Sequence, residues 1–487
     1  MTRRAFIGID CGTQSTKVLV VDATSEEVLG SGRAPHELIE RADGTREQDP
    51  DWWIAALEAA AREVLPPDAN VEVAGIGVSG QQHGLVCLDS ADRPVRPAKL
   101  WNDTTTVAEC EKLTDSVGGP QAALTLTGNS FLVGYTAPKV LWLRRHEPAN
   151  YAATQRMCLP HDFLNLWLTG TFATEPGDAS GTAYFDVRQR AYHPTVLSAI
   201  DDQRDWQRSL PPIVPSLSVL GRLRPAAAAA LGLPAGIPVS AGGGDNMMAA
   251  LGVGAVTEGP VVVSLGTSGT GFAHRDQPAV DPRGEASAFC DSAGGWLPLV
   301  ATLNCTVATE WILRLFGLDH TAFEAALSAS PPGADGLTFL PYLGGERTPN
   351  HPAGAGVFAG VRASHTPQEF VRAVAEGVTF GLSYALQALR RSGVEATEIS
   401  LVGGGASSDG WAQLCADVFA LPVVRAPQTE AGAIGAARQA RWAVDGVAVS
   451  ATPTGVVQRF QPTHSPELAA AALRADALRD VALANGL

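Results

Sequence analysis

The sequence predicts an α/β protein built from two lobes of similar fold that face one another. An apolar strand, a Gly-Thr turn and a returning strand occupy residues 6–21, and the same pattern recurs at 259–274. Between these two units lies a bare glycine run at 241–246, preceded by an apolar strand and followed by small and apolar residues. A repeated supersecondary unit indicates related halves, and 487 residues suffice for two or three domains.

Composition and charge exclude several classes of function. The formal net charge is −15, whereas proteins that bind nucleic acid usually carry a basic face and anionic membranes attract basic segments. Backbone amides in loops still allow a polyphosphate ligand. No apolar run reaches transmembrane length, and the N-terminus turns polar too early for a signal peptide. Seven scattered cysteines without CxxC spacing indicate reduced thiols in a cytoplasmic protein without a zinc site.

The first unit opens the chain with three expected strands, at 6–10, 17–22 and 28–33. The turn at 11–16 joins the first two strands and is full of amides and hydroxyls that suit phosphate oxygens. Its spacing is not that of a P-loop, because it lacks the GxxxxGK[ST] pattern.

Helices and strands then alternate. Asp49 and Pro50 mark the start of a helix that should end before Pro66 and Pro67. The other elements expected in this half are strands at 71–78, 85–88 and 237–240, a strand-loop segment at 100–103, helices at 134–146 and 159–170, a polar loop at 174–182 and an alanine-rich surface helix at 225–232.

The second half repeats the alternation. A strand at 259–265 and its return at 270–274 flank the turn at 266–269. Gly377 and Gly381 are expected to break a long helical stretch. The remaining expected elements are that helical stretch at 366–391, a turn-rich segment at 339–349, a strand at 398–402 that ends in glycines 403–405, and helices at 432–444 and 466–485.

Asp245, at the end of the central glycine run, admits two interpretations. A carboxylate there could accept a proton from a bound hydroxyl, or it could cap the following helix. Asp10 could hold Mg²⁺ or bind the backbone of its own turn, and His83 could be a satisfied core histidine. Each residue alone favours the structural interpretation. Together with three glycine turns that follow strands, they favour phosphoryl transfer.

The chain resembles the FGGY family of carbohydrate kinases, and within it the branch that phosphorylates D-xylulose. The resemblance runs from about residue 6 to about residue 446 and includes a second family signature at 356–376. The segments that carry it, in family order, are IGIDCGTQSTK, EQDPDWW, SGQQHGLV, LWND, GYTAPKVLWLRRHE, GGGDN, SLGTSG, FLPYLGGERTP and LVGGGA. So many motifs in one order are specific, whereas any one glycine motif would be weak.

The resemblance implies a fold and a reaction. The fold would be α/β, with two ribonuclease-H-like (actin-like ATPase) domains and a central cleft. Residues 1–241 would form the mainly sugar-binding domain, 242–446 the mainly ATP-binding domain, and 447–487 a helical segment that packs back on the lobes. The substrates would be ATP and D-xylulose, and the cofactor would be Mg²⁺. The protein could assemble as a homodimer.

The resemblance also implies roles for single residues. Asp245 would take the proton from the C5 hydroxyl of D-xylulose, and Asp10 would be the second catalytic carboxylate and the metal ligand. The implied sugar-binding residues are Gln82, His83, Asn102, Asp103, Asp245 and Asn246. The implied ATP-binding residues are Gly12, Thr13, Gln14, Gly266, Thr267, Gly404, Gly405 and Ala406. Gln82 stands where many members carry Met, which weakens inference about the detailed sugar contacts.

Two alternatives remain at this stage. A kinase for another pentulose such as ribulose, or for a polyol, would share the phosphate machinery, because a few hydroxyl contacts set that choice. A non-metabolic actin-like ATPase would share the scaffold, since fold does not fix function. The sugar-side GQQHG and LWND segments favour the sugar kinase over the second alternative.

Overall fold

The structure is a computed structural model, and it describes residues 2–64, 70–425, 430–451 and 458–486. Two seven-stranded mixed sheets, one in each half of the chain, carry helices on their faces. The predicted class, α/β with two ribonuclease-H-like (actin-like ATPase) domains, is confirmed. The proline pair Pro66 and Pro67, expected to end the first helix, lies outside the described residues.

The first half contains the first sheet and several short accessory strands. Its strands are β1 (Arg3–Cys11), β2 (Ser15–Asp22), β3 (Val28–Pro35), β4 (Ile39–Glu40), β5 (Arg46–Gln48), β6 (Val71–Gly80), β7 (Val86–Leu88), β8 (Ala98–Lys99), β9 (Arg156–Cys158), β10 (Phe185–Asp186), β11 (Ala191–Tyr192), β12 (Val219–Arg222), β13 (Pro238–Ser240) and β14 (Gly243–Gly244). Its helices are α1 (Pro50–Val64), α2 (Val107–Ser116), α3 (Pro120–Thr127), α4 (Thr136–His146), α5 (Pro148–Ala153), α6 (Pro160–Thr169), α7 (Pro176–Ala179), α8 (Pro194–Ile200), α9 (Trp206–Ser209), α10 (Pro225–Leu231) and α11 (Asp245–Gly252).

The second half contains the second sheet and the longer helices. Its strands are β15 (Pro260–Leu265), β16 (Gly269–Ala273), β17 (Ser287–Cys290), β18 (Trp296–Thr302), β19 (Thr338–Pro341), β20 (Gly356–Ala359), β21 (Glu398–Val402), β22 (Val423–Arg425) and β23 (Gln458–Phe460). Its helices are α12 (Thr306–Phe316), α13 (His320–Ala329), α14 (Pro367–Arg391), α15 (Asp409–Phe419), α16 (Ala431–Asp445) and α17 (Pro466–Asn485).

The two sheets share one connectivity. In the first sheet the order is β12-β13-β6-β1-β2-β3, and β14 also pairs with β6. In the second sheet the order is β17-β18-β16-β15-β21-β22-β23. In both, the opening strand forms an antiparallel hairpin with the next strand and a parallel pair with a later one: β1 with β2 and β6, and β15 with β16 and β21. The internal repeat read from the Gly-Thr turns is therefore a repeat of topology.

Glycines on the first sheet allow a helix from the second half to lie directly on it. An added Cβ at Gly8 would lie 1.8 Å from the carbonyl oxygen of Ala433, and one at Gly77 would lie 2.0 Å from that of Ala436. Both alanines belong to α16, which also packs against α11. Because glycine lacks a Cβ, this close approach is open to it alone. Helix α16 thus joins the two halves of the chain.

Two expectations about local structure are wrong. The stretch at 174–182 is not an open polar loop, because it contains α7 and a short 3₁₀ turn at Ser180–Thr182. Helix α14 is not broken at its glycines and runs through all 25 residues. Gly377 is needed there for packing, since a Cβ would lie 2.2 Å from the carbonyl oxygen of Phe339 in β19.

The remaining features agree with the sequence analysis in part. Helix α10 forms where expected, but it is only half exposed, because Ala227, Ala228 and Leu231 are buried. All seven cysteines are unpaired and buried, as the reduced-thiol prediction requires. Among the described residues, no helix has both the length and the hydropathy needed to cross a membrane.

Candidate functional site

Three parallel strand ends meet at one edge of the first sheet. Cys11 at the end of β1 pairs with Gly80 at the end of β6, and Gly244 at the end of β14 pairs with the same glycine. The residues that precede or follow these ends therefore lie close together. This register explains how Asp10 and Asp245 approach one another although they lie far apart in the chain.

Asp245 is the first residue of α11, and Gly244, not Asp245, occupies the N-cap position. The N-cap interpretation of this carboxylate is therefore wrong. Its Oδ1 accepts hydrogen bonds from the backbone nitrogen of Asn246 at 2.8 Å and from Asn246 Nδ2 at 3.1 Å. Burial raises the pKa of Asp245 to about 7, and the negative charges of Asp10 and Asp178 add to the rise. A carboxylate with that pKa suits proton transfer at neutral pH.

Asp10 lies between the two halves of the chain. Its Oδ1 accepts a hydrogen bond from Ser79 Oγ at 2.7 Å. Burial raises the pKa of Asp10, while the Ser79 hydrogen bond and the charge of Lys17 oppose the rise. On the opposite side, Gly432 in the first turn of α16 packs so closely that an added Cβ would lie 2.9 Å from the carboxylate.

Gln82 and His83 follow the end of β6. Gln82 is buried, and its Oε1 accepts a hydrogen bond from Asn246 Nδ2 at 2.9 Å. The His83 ring packs against Tyr135 from the first half and Phe289 from the second, with ring centroids 4.6 and 5.9 Å away. Burial lowers the pKa of His83 well below its usual value, so the imidazole is neutral at physiological pH.

The backbone of His83 is held in an unusual conformation. Its φ of 66° lies in the left-handed region, which non-glycine residues adopt at some cost. The His83 carbonyl accepts hydrogen bonds from Lys139 Nζ at 2.6 Å and from Thr136 Oγ1 at 3.2 Å. Gly181 covers the other side of the ring, where a Cβ would lie 2.2 Å from His83 Nδ1. These contacts fix the direction in which the imidazole points.

Asn102 and Asp103 occupy the same loop but differ in their bonding. Asp103 is fully buried, and its two oxygens accept hydrogen bonds from Lys99 Nζ, the Arg46 backbone nitrogen and both donors of Thr105. Asn102 Oδ1 is buried without a hydrogen-bond partner in the described chain. Asp103 therefore fixes the loop in place, and Asn102 Oδ1 is the acceptor that remains without a partner among the described residues.

The tip of the first hairpin is tied to the same region. Thr13 Oγ1 donates to Gln81 Oε1 at 3.1 Å and accepts from Trp101 Nε1 at 2.9 Å. The Gly12 backbone nitrogen bonds the Ser15 carbonyl at 3.1 Å, which closes the turn. Gln14 is exposed at the tip. The first predicted phosphate turn thus lies beside Asn102 and the residues that follow β6.

The second pair of glycine turns forms the corresponding edge of the second sheet. Ser264 of β15 pairs with Val402 of β21, so the turns that follow these parallel strands emerge side by side. Gly403 has a φ of 88°, and an added Cβ at this glycine would lie 2.8 Å from the Leu265 backbone. Gly404 and Thr267 are exposed, whereas Gly266 and Gly405 are half-buried and Ala406 is buried. Backbone amides in glycine turns of this kind can bind a phosphate or a nucleotide.

Sequence reasoning missed several residues of this region. Phe289, Gly181 and Gly432 lie outside the segments that carry the family resemblance. Ser79, Tyr135 and Lys139 lie within such segments, SGQQHGLV and GYTAPKVLWLRRHE, but their contacts could not be read from the sequence. The described residues contain no cluster of three or more metal-ligating side chains.

Comparison with known proteins gives the family. The model of the FGGY family of carbohydrate kinases, N-terminal domain, matches residues 5–252, and that of the C-terminal domain matches residues 261–444. These two matches cover most of the chain. The chain is a member of the FGGY family of carbohydrate kinases.

Individual relatives of this FGGY kinase support the assignment to this family. It is 42% identical over 445 residues to a xylulose kinase of Haemophilus influenzae, covering 90% of each chain. It is 39% identical to a xylulose kinase of Streptomyces coelicolor, covering 95% of this chain and 92% of that one. A crystal structure described as a xyloylose kinase from Brucella ovis superposes with a TM-score of 0.91 at 32% identity, covering 99% of both chains.

In this FGGY kinase, Asp10 and Asp245 lie together with the residues that follow β6 and β14 at one edge of the first sheet. The glycine turns after β15 and β21 lie side by side at the corresponding edge of the second sheet. The arrangement can therefore hold a hydroxyl acceptor against a carboxylate with a raised pKa.

Proposed function

We propose that this FGGY kinase transfers the γ-phosphoryl group of ATP to the C5 hydroxyl of D-xylulose and releases ADP and D-xylulose 5-phosphate. The observation that carries the proposal is Asp245, a carboxylate with a pKa raised to about 7 that is bonded only to Asn246 among the described residues. Relatives that are xylulose kinases over about 90% of the chain support the choice of sugar.

Asp245 acts as the general base. It removes the proton of the C5 hydroxyl as that oxygen attacks the γ-phosphorus, and the bond from phosphorus to the β,γ-bridging oxygen breaks to release ADP. Positioning and electrostatics supply most of the rate in phosphoryl transfer. Closure of the two lobes on the sugar would exclude water and align the two reacting oxygens.

The sugar is bound by the side chains that follow β6 and β14. Gln82, His83 and Asn246 supply amide and imidazole groups, and Asn102 supplies an acceptor that lacks a partner in the described chain. Asp103 contributes by anchoring the loop that bears Asn102. A neutral His83 can serve as donor or acceptor toward a sugar hydroxyl.

ATP is bound by the glycine turns of both sheets. Gly12, Thr13 and Gln14 approach the β- and γ-phosphates from the first half, and Gly266 and Thr267 approach from the second. Gly404, Gly405 and Ala406 line the adenosine side. Exposed backbone amides at such turns bind phosphate oxygens without needing many basic residues, which fits the acidic composition of the chain.

Mg²⁺ fits beside Asp10. The ion takes few carboxylates and keeps several waters, so a single partly available carboxylate, Asp10, matches its preference better than a closed protein cage. Ser79 occupies only one Asp10 oxygen, and Gly432 leaves open the space that a side chain would fill. When bound, the ion would neutralise phosphate charge. Asp10 would hold it, directly or through water.

The division into domains also stays a proposal. Residues 1–241 form the mainly sugar-binding domain, 242–446 the mainly ATP-binding domain, and 447–487 a helical segment packed on the lobes. Seven unpaired cysteines support a cytoplasmic location. A homodimer remains a prediction about assembly.

A panel of sugars tests the substrate most simply. Purified protein, Mg-ATP and each of D-xylulose, D-ribulose, L-ribulose, glycerol and other polyols are assayed for ADP release. The proposal expects D-xylulose to give the highest kcat/KM by at least about ten-fold, a difference of about 1.4 kcal/mol. A higher value for ribulose or a polyol would replace the substrate, and ATP turnover that no sugar accelerates would overturn the kinase proposal.

A further inference from the structure

A buried chain of polar side chains leads from α6 to the acceptor side of the site. His161 Nδ1 lies 2.6 Å from Asp178 Oδ2, and both side chains are fully buried. Asp178 and Gln82 then converge on Gly244. An added Cβ at that glycine would lie 3.0 Å from Asp178 Oδ1 and 2.8 Å from Gln82 Cγ. The chain therefore reaches the residue that precedes Asp245.

This chain of polar side chains continues through the side-chain amides of Gln82 and Asn246. Gln82 Oε1 accepts from Asn246 Nδ2 at 2.9 Å, and the same nitrogen donates to Asp245 Oδ1 at 3.1 Å. Gln82 Nε2 and Asp178 Oδ1 are both buried, and neither has a close hydrogen-bond partner within the described residues. Burial raises the pKa of Asp178 well above its usual value, and its polar contact with Gln82 acts in the opposite direction. Because both side chains lie beside Gly244, Gln82 Nε2 is the donor available to Asp178 Oδ1.

The order of donors and acceptors along this chain is fixed by its buried end. The proton between His161 Nδ1 and Asp178 Oδ2 can sit on either atom, and in both cases Asp178 Oδ1 remains an acceptor. Gln82 must then turn its Nε2 toward Asp178 and its Oε1 toward Asn246. Asn246 Nδ2 is consequently used by Gln82 and Asp245, which leaves Asn246 Oδ1 outside the chain as an acceptor.

We propose that Asp178, held by His161, is a positioning residue that sets the donor and acceptor ends of the Gln82 and Asn246 amides toward the sugar. An amide is nearly symmetric in shape, so packing alone does not decide which end faces a ligand. A sugar hydroxyl, which can donate to Asn246 Oδ1, is therefore favoured there over a carbonyl oxygen, which can only accept. This inference rests on the proposed function, because it assigns the residues that orient its sugar side.

Other groups around His161 make a purely structural role the competing explanation. Asp162 Oδ1 lies 3.0 Å from His161 Nε2, and Glu175 accepts from the backbone nitrogens of Gly177 and Asp178. Removing any member of such a buried cluster could loosen the whole region. The test must therefore ask whether Asp178 acts through Gln82.

A double-mutant cycle asks that question. Four proteins are compared: the parent, Asp178→Asn, Gln82→Met and the double variant, with KM measured for sugar and for ATP. Asp178→Asn should raise the KM for D-xylulose about ten-fold, the usual scale of a buried hydrogen bond, with the KM for ATP changed less than two-fold. In the Gln82→Met background, where no amide remains to be oriented, Asp178→Asn should add less than about two-fold. An equal effect in both backgrounds, or an equal rise in both KM values, would overturn the proposal.

A second pair of variants covers the case in which Asp178→Asn fails to fold. His161→Asn keeps a side-chain nitrogen that can donate to Asp178 Oδ2, whereas His161→Phe keeps the ring shape and removes the donor. We expect His161→Asn to retain a sugar KM within about three-fold of the parent and His161→Phe to raise it about ten-fold. Equal behaviour of the two variants would count against the proposal.

One readout does not depend on the identity of the sugar. The side-chain amide resonance of Gln82 in ¹⁵N-labelled protein is assigned by its loss in Gln82→Met. Protection of this amide from exchange should be present in the parent and lost in Asp178→Asn, and an unchanged amide would contradict the proposal. If the parent phosphorylates another sugar of the panel in place of D-xylulose, the substrate proposal fails. The double-mutant cycle is then run with that other sugar, so the role of Asp178 is still tested.

Discussion

Gly432 in α16 packs directly against the carboxylate of Asp10, close enough that an added Cβ would lie 2.9 Å from all three of its atoms. Asp10 is the last but one residue of β1 in the first sheet, and Gly432 lies in the first turn of a helix from the second half of the chain. This contact ties the proposed metal ligand to the helix that joins the two halves. The position therefore needs glycine because of the carboxylate opposite it.

Gly432→Ala should weaken Mg²⁺ use. The new methyl group must displace Asp10 or α16, and overpacking of this kind costs about 1–3 kcal/mol. We expect the Mg²⁺ concentration for half-maximal activity to rise about ten-fold, with the KM for sugar within about two-fold. Steady-state kinetics at fixed ATP over a Mg²⁺ series measures this.

Gly381→Ala is the matched control for that variant. Gly381 also lies in a helix, α14, but no atom outside its own helix lies within 4 Å of an added Cβ. Its Mg²⁺ dependence should equal that of the parent. A normal Mg²⁺ dependence in Gly432→Ala would show that Asp10 is not the residue that holds the ion.

The pH dependence should show a single acid limb. The pKa of Asp245 is raised to about 7, and a general base works only when deprotonated. The value of kcat/KM for sugar should therefore fall about ten-fold per pH unit below about 7 and level off above it. His83 adds no limb near neutrality, because burial keeps its pKa well below the usual value. A profile that stays flat from pH 8 down to pH 5 would contradict this assignment.

His83→Ala should affect the sugar more than the nucleotide. Lys139 and Thr136 bind the His83 carbonyl, and Gly181 lies against its ring. In the proposed function the imidazole binds the sugar, so its loss removes a polar contact worth roughly 1–2 kcal/mol. We expect kcat/KM for sugar to fall about ten-fold or more and the KM for ATP to change less than about two-fold. The reverse pattern would reject a sugar-side role for His83.

Two glycines of α14 should differ in their effect on stability. Gly377→Ala places a Cβ 2.2 Å from the Phe339 carbonyl oxygen and should lower the free energy of unfolding by about 1–3 kcal/mol. Gly381→Ala meets no such contact and should raise it by up to about 1 kcal/mol, because alanine is the better helix former. Denaturant unfolding of both variants checks the pair. Equal effects would mean that β19 does not press on α14.

The sequence predicted the sheet elements that carry local signals. The strand at 6–10, the return at 17–22 and the parallel partner at 71–78 are apolar runs bounded by turns, and each appears as β1, β2 and β6. Caps also mark helices reliably: Ser465 caps α17, where its side chain accepts from the Leu468 nitrogen. Such signals lie within a few residues, so a single sequence contains them.

The parts that failed depend on contacts distant in sequence. Gly377 looked like a helix breaker, but its reason is the carbonyl of Phe339, which only the tertiary structure supplies. Asp245 on its own looked more like a cap than a base, and the difference is whether Gly244 takes the cap position. The Asp178 and His161 pair carried no motif that linked it to Gln82. Register between strand ends and burial decide such cases, and neither can be read along the chain.

Asp245→Asn tests the central claim most directly. The amide keeps the shape of the carboxylate and removes its ability to take a proton. We predict that kcat for D-xylulose falls by roughly two to four orders of magnitude, the usual scale for losing a general base, while the KM values for sugar and ATP change less than about three-fold. A variant that keeps near-parent kcat in metal-defined Mg-ATP would show that Asp245 is not the base and would contradict the proposed mechanism.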